Sequence, residues 1–340
     1  MAVGNPPARP DGQRASAPGE IAFRGVQKRY PGRDGAAVDD LSFTVPPGEI
    51  CVLIGPSGCG KTTALKMVNR LISISGGDIT IDGTSVKELE LTQLRRGIGY
   101  VFQQIGLFPH LTIERNIGAV PRLLGWSKER IHTRAGELLE LVGLDPASDL
   151  KRYPAEFSGG QQQRIGVARA MAADPPIMLM DEPFGAIDPI ARERLQNDFL
   201  RLHEQVQKTV IFVTHDIDEA IKMGHWIAVM RDGHLVQIAT ADELLAHPAD
   251  EFVANFVGAD RGIKRLRVRT LHDIELGPAR SDLRAPSVDQ DTSLHLALSM
   301  MLSESVNQLS VTDGDGKTVG TVGIESITQM VSDGRVPSSA

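Results

Sequence analysis

The sequence predicts an α/β fold followed by a smaller α+β unit, on three observations. Three short apolar runs, Glu49-Ile-Cys-Val-Leu-Ile54, Pro175-Pro-Ile-Met-Leu-Met180 and Thr209-Val-Ile-Phe-Val-Thr214, read as strands buried on both faces, the last two ending at polar residues. The first run feeds into Gly55-Pro-Ser-Gly-Cys-Gly-Lys61-Thr62, and Thr62 to Leu71 has helix-forming composition. Strand, glycine loop and helix thus follow in the order that phosphate binding requires. Finally, Val257-Gly-Ala-Asp-Arg-Gly262 breaks the pattern, and the stretch from about 264 to 340 reads as a compact unit of about 75 residues.

The elements follow in order. Residues Met1 to Glu20 are rich in Pro, Ala and Gly, lack the apolar core of a secretory signal and read as a disordered leader. Ile21 to Tyr30 and Ala37 to Val45 alternate apolar and polar residues around Pro31-Gly32, which reads as two antiparallel strands. From about 105 to 160 the pattern is mostly helical, with an apolar stripe at Leu138-Leu139-x-Leu141-Val142. Asp242 to Phe256 is helical. Arg265-Leu-Arg-Val-Arg-Thr270 alternates strictly and predicts a strand with one basic face. Ser293 to Leu302 is a helix, Gln308 to Thr312 a strand, Asp313 to Gly316 a turn, Thr318 to Val322 a second strand and Ile324 to Val331 a helix.

Composition narrows the function. With 41% hydrophobic and 23% charged residues the chain is an ordinary globular protein, and no apolar run approaches the roughly 18 to 20 residues of a membrane helix. A net charge of −7 argues against a general nucleic-acid binder. The two cysteines, Cys51 and Cys59, form no CxxC pattern or disulfide framework and fit a reducing cytosol. Cys59 lies beside Lys61, which tends to lower a thiol pKa; a packing role is the favoured reading over a redox one.

Chemistry concentrates at two places. Gly55, Gly58 and Gly60 let the backbone wrap closely round phosphate oxygens, and Pro56, Ser57, Cys59 and Thr63 complete the loop. Lys61 reaches the β- and γ-phosphates and the Thr62 hydroxyl ligates Mg²⁺. Asp181 ends an apolar run, where a carboxylate can hold that metal, and Glu182 is placed to polarise or deprotonate an attacking water. A solvated strand end is the bland alternative for such a pair.

Upstream lies Phe157-Ser158-Gly159-Gly160-Gln161, and downstream Pro183 and Gly185-Ala-Ile-Asp188. With this array the chain, over about residues 21 to 262, resembles the ATP-binding subunit of an ABC transporter. The resemblance implies a P-loop NTPase (RecA-like) core with an antiparallel β subdomain and a helical subdomain inserted at about 105–160. It also implies ATP and Mg²⁺ as cofactors. On this basis Tyr30 stacks on adenine, Gln103 touches Mg²⁺ and the attacking water, and His215 contacts the γ-phosphate. Ser158, Gly159, Gly160 and Gln161 cap the γ-phosphate held by a second copy, and Asp188 lies in the loop between the two sites. The implied catalytic unit is therefore a homodimer. Phe157 stands where this signature usually has Leu and keeps an apolar anchor.

The resemblance further implies integral membrane permease subunits as partners, gripped near Gly106-Leu-Phe-Pro-His-Leu111, and a solute-binding protein acting indirectly. The location it implies is peripheral, on the cytoplasmic face of the inner membrane. Asp181 to Pro189, Asp216-Ile-Asp-Glu-Ala-Ile221 and Glu251 to Gly262 are similar to the glycine betaine, choline and proline osmoprotectant importers. Residues 263–340 resemble one half of a CBS pair, a regulatory or dimerisation module. There Gly323 and Ser326 replace the Thr and Asp of the nucleotide-binding pattern in Gly320-Thr-Val-Gly-Ile-Glu-Ser-Ile327. The basic face of Arg265, Arg267 and Arg269, with Arg261 and Lys264, would meet anionic lipid or remain a solvated strand edge. Two alternatives stand beside osmoprotectant import: uptake of another small polar solute such as an amino acid, and a soluble ABC protein of nucleic-acid metabolism.

Overall fold

The computed structural model describes residues 19–32, 34–103, 106–185, 187–279 and 285–332. All of the expected leader except Gly19 and Glu20 lies outside the described residues. In chain order the strands are β1 (Ile21–Arg29), β2 (Ala36–Val45), β3 (Ile50–Ile54), β4 (Gly76–Ile81), β5 (Thr84–Ser85), β6 (Ile98–Val101), β7 (Ile177–Asp181), β8 (Thr209–Val213), β9 (Trp226–Arg231), β10 (His234–Ala239), β11 (Ser287–Asp289), β12 (Gln308–Thr312) and β13 (Thr318–Gly323). The helices are α1 (Lys61–Val68), α2 (Leu91–Arg96), α3 (Ile113–Ile117), α4 (Ala119–Leu123), α5 (Lys128–Leu141), α6 (Pro146–Asp149), α7 (Gly159–Met171), α8 (Pro189–Val206), α9 (Ile217–Met223), α10 (Ala241–Ala246), α11 (Glu251–Val257), α12 (Arg261–Val268), α13 (Leu294–Ser303) and α14 (Ile324–Ser332). They divide into two compact units, one comprising residues up to Pro31, Asp40–Ile50 and Thr62–Val213, the other Gly32–Asp39, Cys51–Lys61 and Thr214 onward.

In the first unit β6, β7 and β8 run parallel and side by side, with Ile177 of β7 opposite both Ile98 and Thr209. Every residue of β7 and β8 is buried, which is why their sequences are unbroken apolar runs instead of alternations. Parallel strands share a direction, so β7 delivers Asp181 at the carboxyl edge, where ligands of open α/β sheets sit. β1 pairs antiparallel with β4 and β4 with β5, and β2 flanks β1 from Asp40 on. Phe23 and Phe43 stack with ring centroids 4.4 Å apart. Helices α3 to α6 lie within the stretch read as helical. In α5 and its cap Leu138, Leu139 and Val142 of the expected apolar stripe face inward, while Leu141 is exposed, because a period of 3.6 turns that position away from the other three.

In the second unit β3 runs parallel to β9, pairing from Cys51 opposite Trp226, and β9 turns back antiparallel into β10. The turn holds Asp232 and Gly233, both with positive φ, which suits a tight hairpin. Farther on, β12 lies between a parallel β11 and an antiparallel β13. Leu294 of α13, Leu309 and Val311 of β12, Val322 of β13 and Ile327 of α14 share one core with Leu266 of α12. The expected helix, strand, turn, strand and helix from Ser293 to Val331 coincide with α13, β12, β13 and α14. Asp242 to Phe256 forms two helices, α10 and α11, interrupted around Pro248, which cannot continue a helix interior.

The strand expected at Arg265 to Thr270 is a helix instead, α12. Six residues of strict alternation do not separate a period of 2 from one of 3.6, and the buried positions decide. Leu266 enters the apolar core. Lys264, also buried, donates to the Val257 carbonyl at 2.9 Å and sits 3.1 Å from Asp260. The basic face is correspondingly not formed. Arg265 and Arg269 both bond the Asp242 carboxylate of α10, and Arg265 also reaches the Met330 carbonyl. Arg267 alone of the three arginines stays more than half exposed. Arg265 and Arg269, committed to that carboxylate, do not form the expected basic strand face.

Candidate active site

The glycine loop belongs to the second unit, and its glycines are there for want of space. A Cβ on Gly55 would lie 2.1 Å from the Met230 carbonyl oxygen, and one on Gly60 2.5 Å from that of Ala37; both residues have positive φ. The loop is thereby pressed against the strand residues beneath it. Lys61 is 7% exposed and its ammonium donates to the Gly55 and Pro56 carbonyls at 2.7 and 3.0 Å, so the cation is held inside the curl. Cys59 is buried with its sulfur 3.8 Å from Lys61 Nζ. Burial pushes its thiol up, and Lys61 offsets that only in part, so the lowered pKa expected beside Lys61 is corrected to a raised one. An unreactive thiol agrees with the packing role. His215 is exposed at the start of the segment that follows β8.

In the first unit the expected metal and base residues meet in pairs. Thr62 Oγ1 donates to Asp181 Oδ1 at 2.8 Å, and Lys66 Nζ lies 3.9 Å from the other carboxylate oxygen of Asp181, which is 3% exposed. Gln103 Nε2 donates to Glu182 Oε2 at 3.0 Å. Glu182 carries a φ of +45°, a left-handed conformation that is uncommon for a residue with a Cβ, and its N–H donates to the Val213 carbonyl at 3.0 Å. The strained backbone sits at the strand end, and the Gln103 bond holds the carboxylate. Tyr100 packs nearby; burial and then the Asp181 charge push its phenol well above the usual range, so the hydroxyl stays protonated. Tyr30 is half-buried, with Lys28 Nζ 4.9 Å from its ring centroid.

Among the described residues no group of three or more His, Cys, Asp and Glu could hold a metal. A hydroxyl and a carboxylate oxygen 2.8 Å apart are nonetheless the hard donors that Mg²⁺ takes when phosphate oxygens and water supply the rest. The residues present fit that ion.

The signature forms a different surface. Ser158 caps α7: its Oγ accepts from the Gln161 N–H at 3.3 Å while the Gln161 side chain accepts from the Ser158 N–H at 2.9 Å. Phe157 is buried and Arg152 lies over its ring at 4.2 Å, while that arginine bonds Asp149 and Glu156. The aromatic therefore anchors the motif as an aliphatic residue would, with a cation–π contact added. Ser158 to Gln161 line an open concavity of about 500 Å³ together with Ile187 and Asp188; Asp181, Glu182 and Gln103 do not line it. A Cβ on Gly159 would meet no described atom within 4 Å, and on Gly160 the nearest is Ile187 Cγ2 at 3.7 Å.

One residue committed to the structure near this site carried no sequence signal. Asn116, fully buried on α3, bonds four backbone atoms of the segment Phe108 to Thr112, and partners that are backbone atoms leave no trace in residue types.

Residues 38–185 match the family model described as ABC transporter. The osmoprotectant import ATP-binding protein OsmV of Salmonella typhimurium (strain LT2) is 53% identical over 297 residues, 87% of this chain and 76% of that protein. The glycine betaine/carnitine/choline transport ATP-binding protein OpuCA of Bacillus subtilis (strain 168) is 48% identical over 89% of this chain and 78% of its own length. Among solved structures, the dimeric structure of MJ0796, a bacterial ABC transporter cassette, is 33% identical with a TM-score of 0.59, covering 65% of this chain and 98% of that one. A further structure of that cassette is a dimeric post-hydrolysis state bound to ADP and Pi.

The chain belongs to the ABC transporter family as an ATP-binding, ATP-hydrolysing subunit with the α/β fold of that family. Within the family it falls in the subfamily of OsmV and OpuCA.

Proposed function

We propose that this chain is the ATP-hydrolysing subunit of an importer for glycine betaine, choline, proline or a related osmoprotectant, and that it works as a homodimer with two composite ATP sites. The relatives' names support the solute class, and the signature glycines support the dimer. Gly55 and Gly60 are required by their own chain, but nothing in the described chain crowds Gly159 and Gly160. Side-chain-free backbone facing open space suits a ligand brought by another molecule.

In this reading the Gly55 to Thr63 loop cradles the phosphates, with Lys61 on the β and γ groups and Tyr30 on adenine. Mg²⁺ would be held by the Thr62 hydroxyl, Asp181 and Gln103, and it would neutralise phosphate charge. Glu182 takes the proton of the attacking water, with Gln103 orienting its carboxylate and His215 facing the γ-phosphate. Ser158 to Gln161 and Asp188 of the partner copy close the site. ATP then joins two copies and hydrolysis releases them, a two-state switch whose bias is the phosphate itself.

No helix among the described residues is long and apolar enough to cross a membrane, so in this reading permease subunits carry the path and a solute-binding protein delivers the solute. A concavity of about 840 Å³, lined also by the Gln103 and Asp181 assigned to Mg²⁺, suits the permease contact through its remaining lining: Phe102, Phe108, Val120 and Leu123 are apolar and Arg95, Arg96 and Arg169 basic. That contact would hold the chain on the cytoplasmic face of the inner membrane. The unit from 263 onward serves as a CBS-like regulatory or dimerisation module.

The substrate test is solute-stimulated ATPase activity of the chain with its membrane subunits in vesicles. Glycine betaine, choline or proline raises the rate in this account; stimulation by an amino acid outside that group and by none of these solutes would overturn it.

A further inference from the structure

Asn116 is the one asparagine with no exposed surface among the described residues, and both ends of its amide are used. Its Oδ1 accepts the Phe108 N–H at 2.8 Å. Its Nδ2 lies 3.1 Å from the Phe108 carbonyl, 3.0 Å from that of Leu111 and 3.1 Å from that of Thr112. Two amide hydrogens thus serve three carbonyls, while the backbone of α3 fixes Asn116 itself through its N–H on the Thr112 carbonyl at 2.9 Å. A side chain that both donates and accepts is required here: leucine would satisfy none of the four groups, and aspartate would satisfy one and repel the carbonyls.

The arrangement has an outward consequence. The segment it stitches carries Phe108, which is 45% exposed and lines the apolar and basic concavity with Phe102 and Leu123. A five-residue turn that exposes a large aromatic would ordinarily sample several shapes, because it has few buried contacts of its own. Here a buried amide holds it in one.

We infer that Asn116 is a positioning residue for partner docking: it pre-forms the Phe108 to Thr112 turn so that Phe108 meets the membrane subunit without an ordering cost at the moment of contact. This inference rests on the reading that the concavity receives the permease. Asn116 touches neither nucleotide nor solute in it, and acts only through the shape of the turn.

The test has three arms. In the wild-type chain, hydrogen exchange resolved to single amides shows Phe108 protected at least about 100-fold over an exposed loop amide; exchange at the free-loop rate would overturn the inference. In Asn116→Asp and Asn116→Leu, exchange rises across residues 106–112 and the ratio of solute-stimulated to basal ATPase in the vesicle-reconstituted complex falls at least about tenfold. Unchanged exchange there, or a ratio within twofold of wild type, counts against it, and having two variants guards against one that does not fold. Phe108→Ala separates the two layers. If it lowers the ratio while the Asn116 variants do not, the positioning role is wrong and docking stands; if it too leaves the ratio intact, the docking reading fails and the inference with it.

Discussion

The glycine loop and the signature both depend on glycine, yet for opposite reasons. At Gly55 and Gly60 the constraint is internal, since added atoms would fall 2.1 and 2.5 Å from backbone carbonyls of the same unit. At Gly159 and Gly160 it is external, since an added atom would meet nothing within 4 Å at the first and only an ordinary contact with Ile187, at 3.7 Å, at the second. The first region is a finished cradle and the second is half of an interface. The difference teaches that a motif's residue types alone do not reveal whether its own chain or another molecule demands them; the surroundings of each Cα do.

Substitutions can break this comparison. Gly55→Ala has the largest expected effect on the fold, a loss of at least about 3 kcal/mol with ATP binding abolished, because rigid backbone cannot yield to the new methyl. Thermal melting and nucleotide titration check it. Glu182→Gln leaves folding and ATP binding intact and lowers turnover about 10²- to 10⁴-fold, the range of a positioned general base. Steady-state hydrolysis against binding affinity separates the two effects, and wild-type turnover would reject the assigned base.

Gly160→Glu sharpens the contrast. A carboxylate in the first turn of α7 favours the helix, by about 0.3 to 1 kcal/mol, and its Cβ makes only an ordinary 3.7 Å contact with Ile187, so melting is unchanged or slightly raised. Its hydrolysis nevertheless falls at least about tenfold, because a bulky anion faces the incoming phosphate. A variant that unfolds would show the signature glycines to be internal after all.

A change away from both glycine motifs lies in the second unit, at Asp242. Burial raises its carboxyl pKa, but the bonds from Arg269 and Arg265 outweigh that and hold it at about 2. A depressed carboxylate stabilises the fold above its unfolded pKa near 4 and loses that contribution as pH falls through its folded value, so the window is about pH 4 down to 2. Asp242→Asn costs about 2 kcal/mol at neutral pH. Its melting temperature converges with that of wild type as the pH approaches 2. Parallel curves would contradict the arginine clamp.

Much of this was legible in the residues. The runs at β3, β7 and β8 announced buried parallel strands in each unit because both faces are covered, and the glycine loop and the Asp181-Glu182 pair located the chemistry. The Asp232-Gly233 turn between β9 and β10 is a strong hairpin signal that the apolar runs alone overlook. Arg265 to Thr270 misleads, since its alternation is too short to fix a period, and tertiary contacts with Asp242 and the core made it helical. Which glycines are crowded depends on neighbours distant in sequence, and which amide stitches a turn depends on backbone partners that residue types do not mark.

The central claim, that each ATP site takes its signature from a second copy, is tested most directly by the mass of Glu182→Gln in solution with and without Mg-ATP. The account predicts a monomer without nucleotide and a dimer with it, and a monomer under both conditions once Gly160→Glu is added. A Glu182→Gln chain that binds ATP yet stays monomeric, or a double variant that still dimerises on ATP, would contradict it.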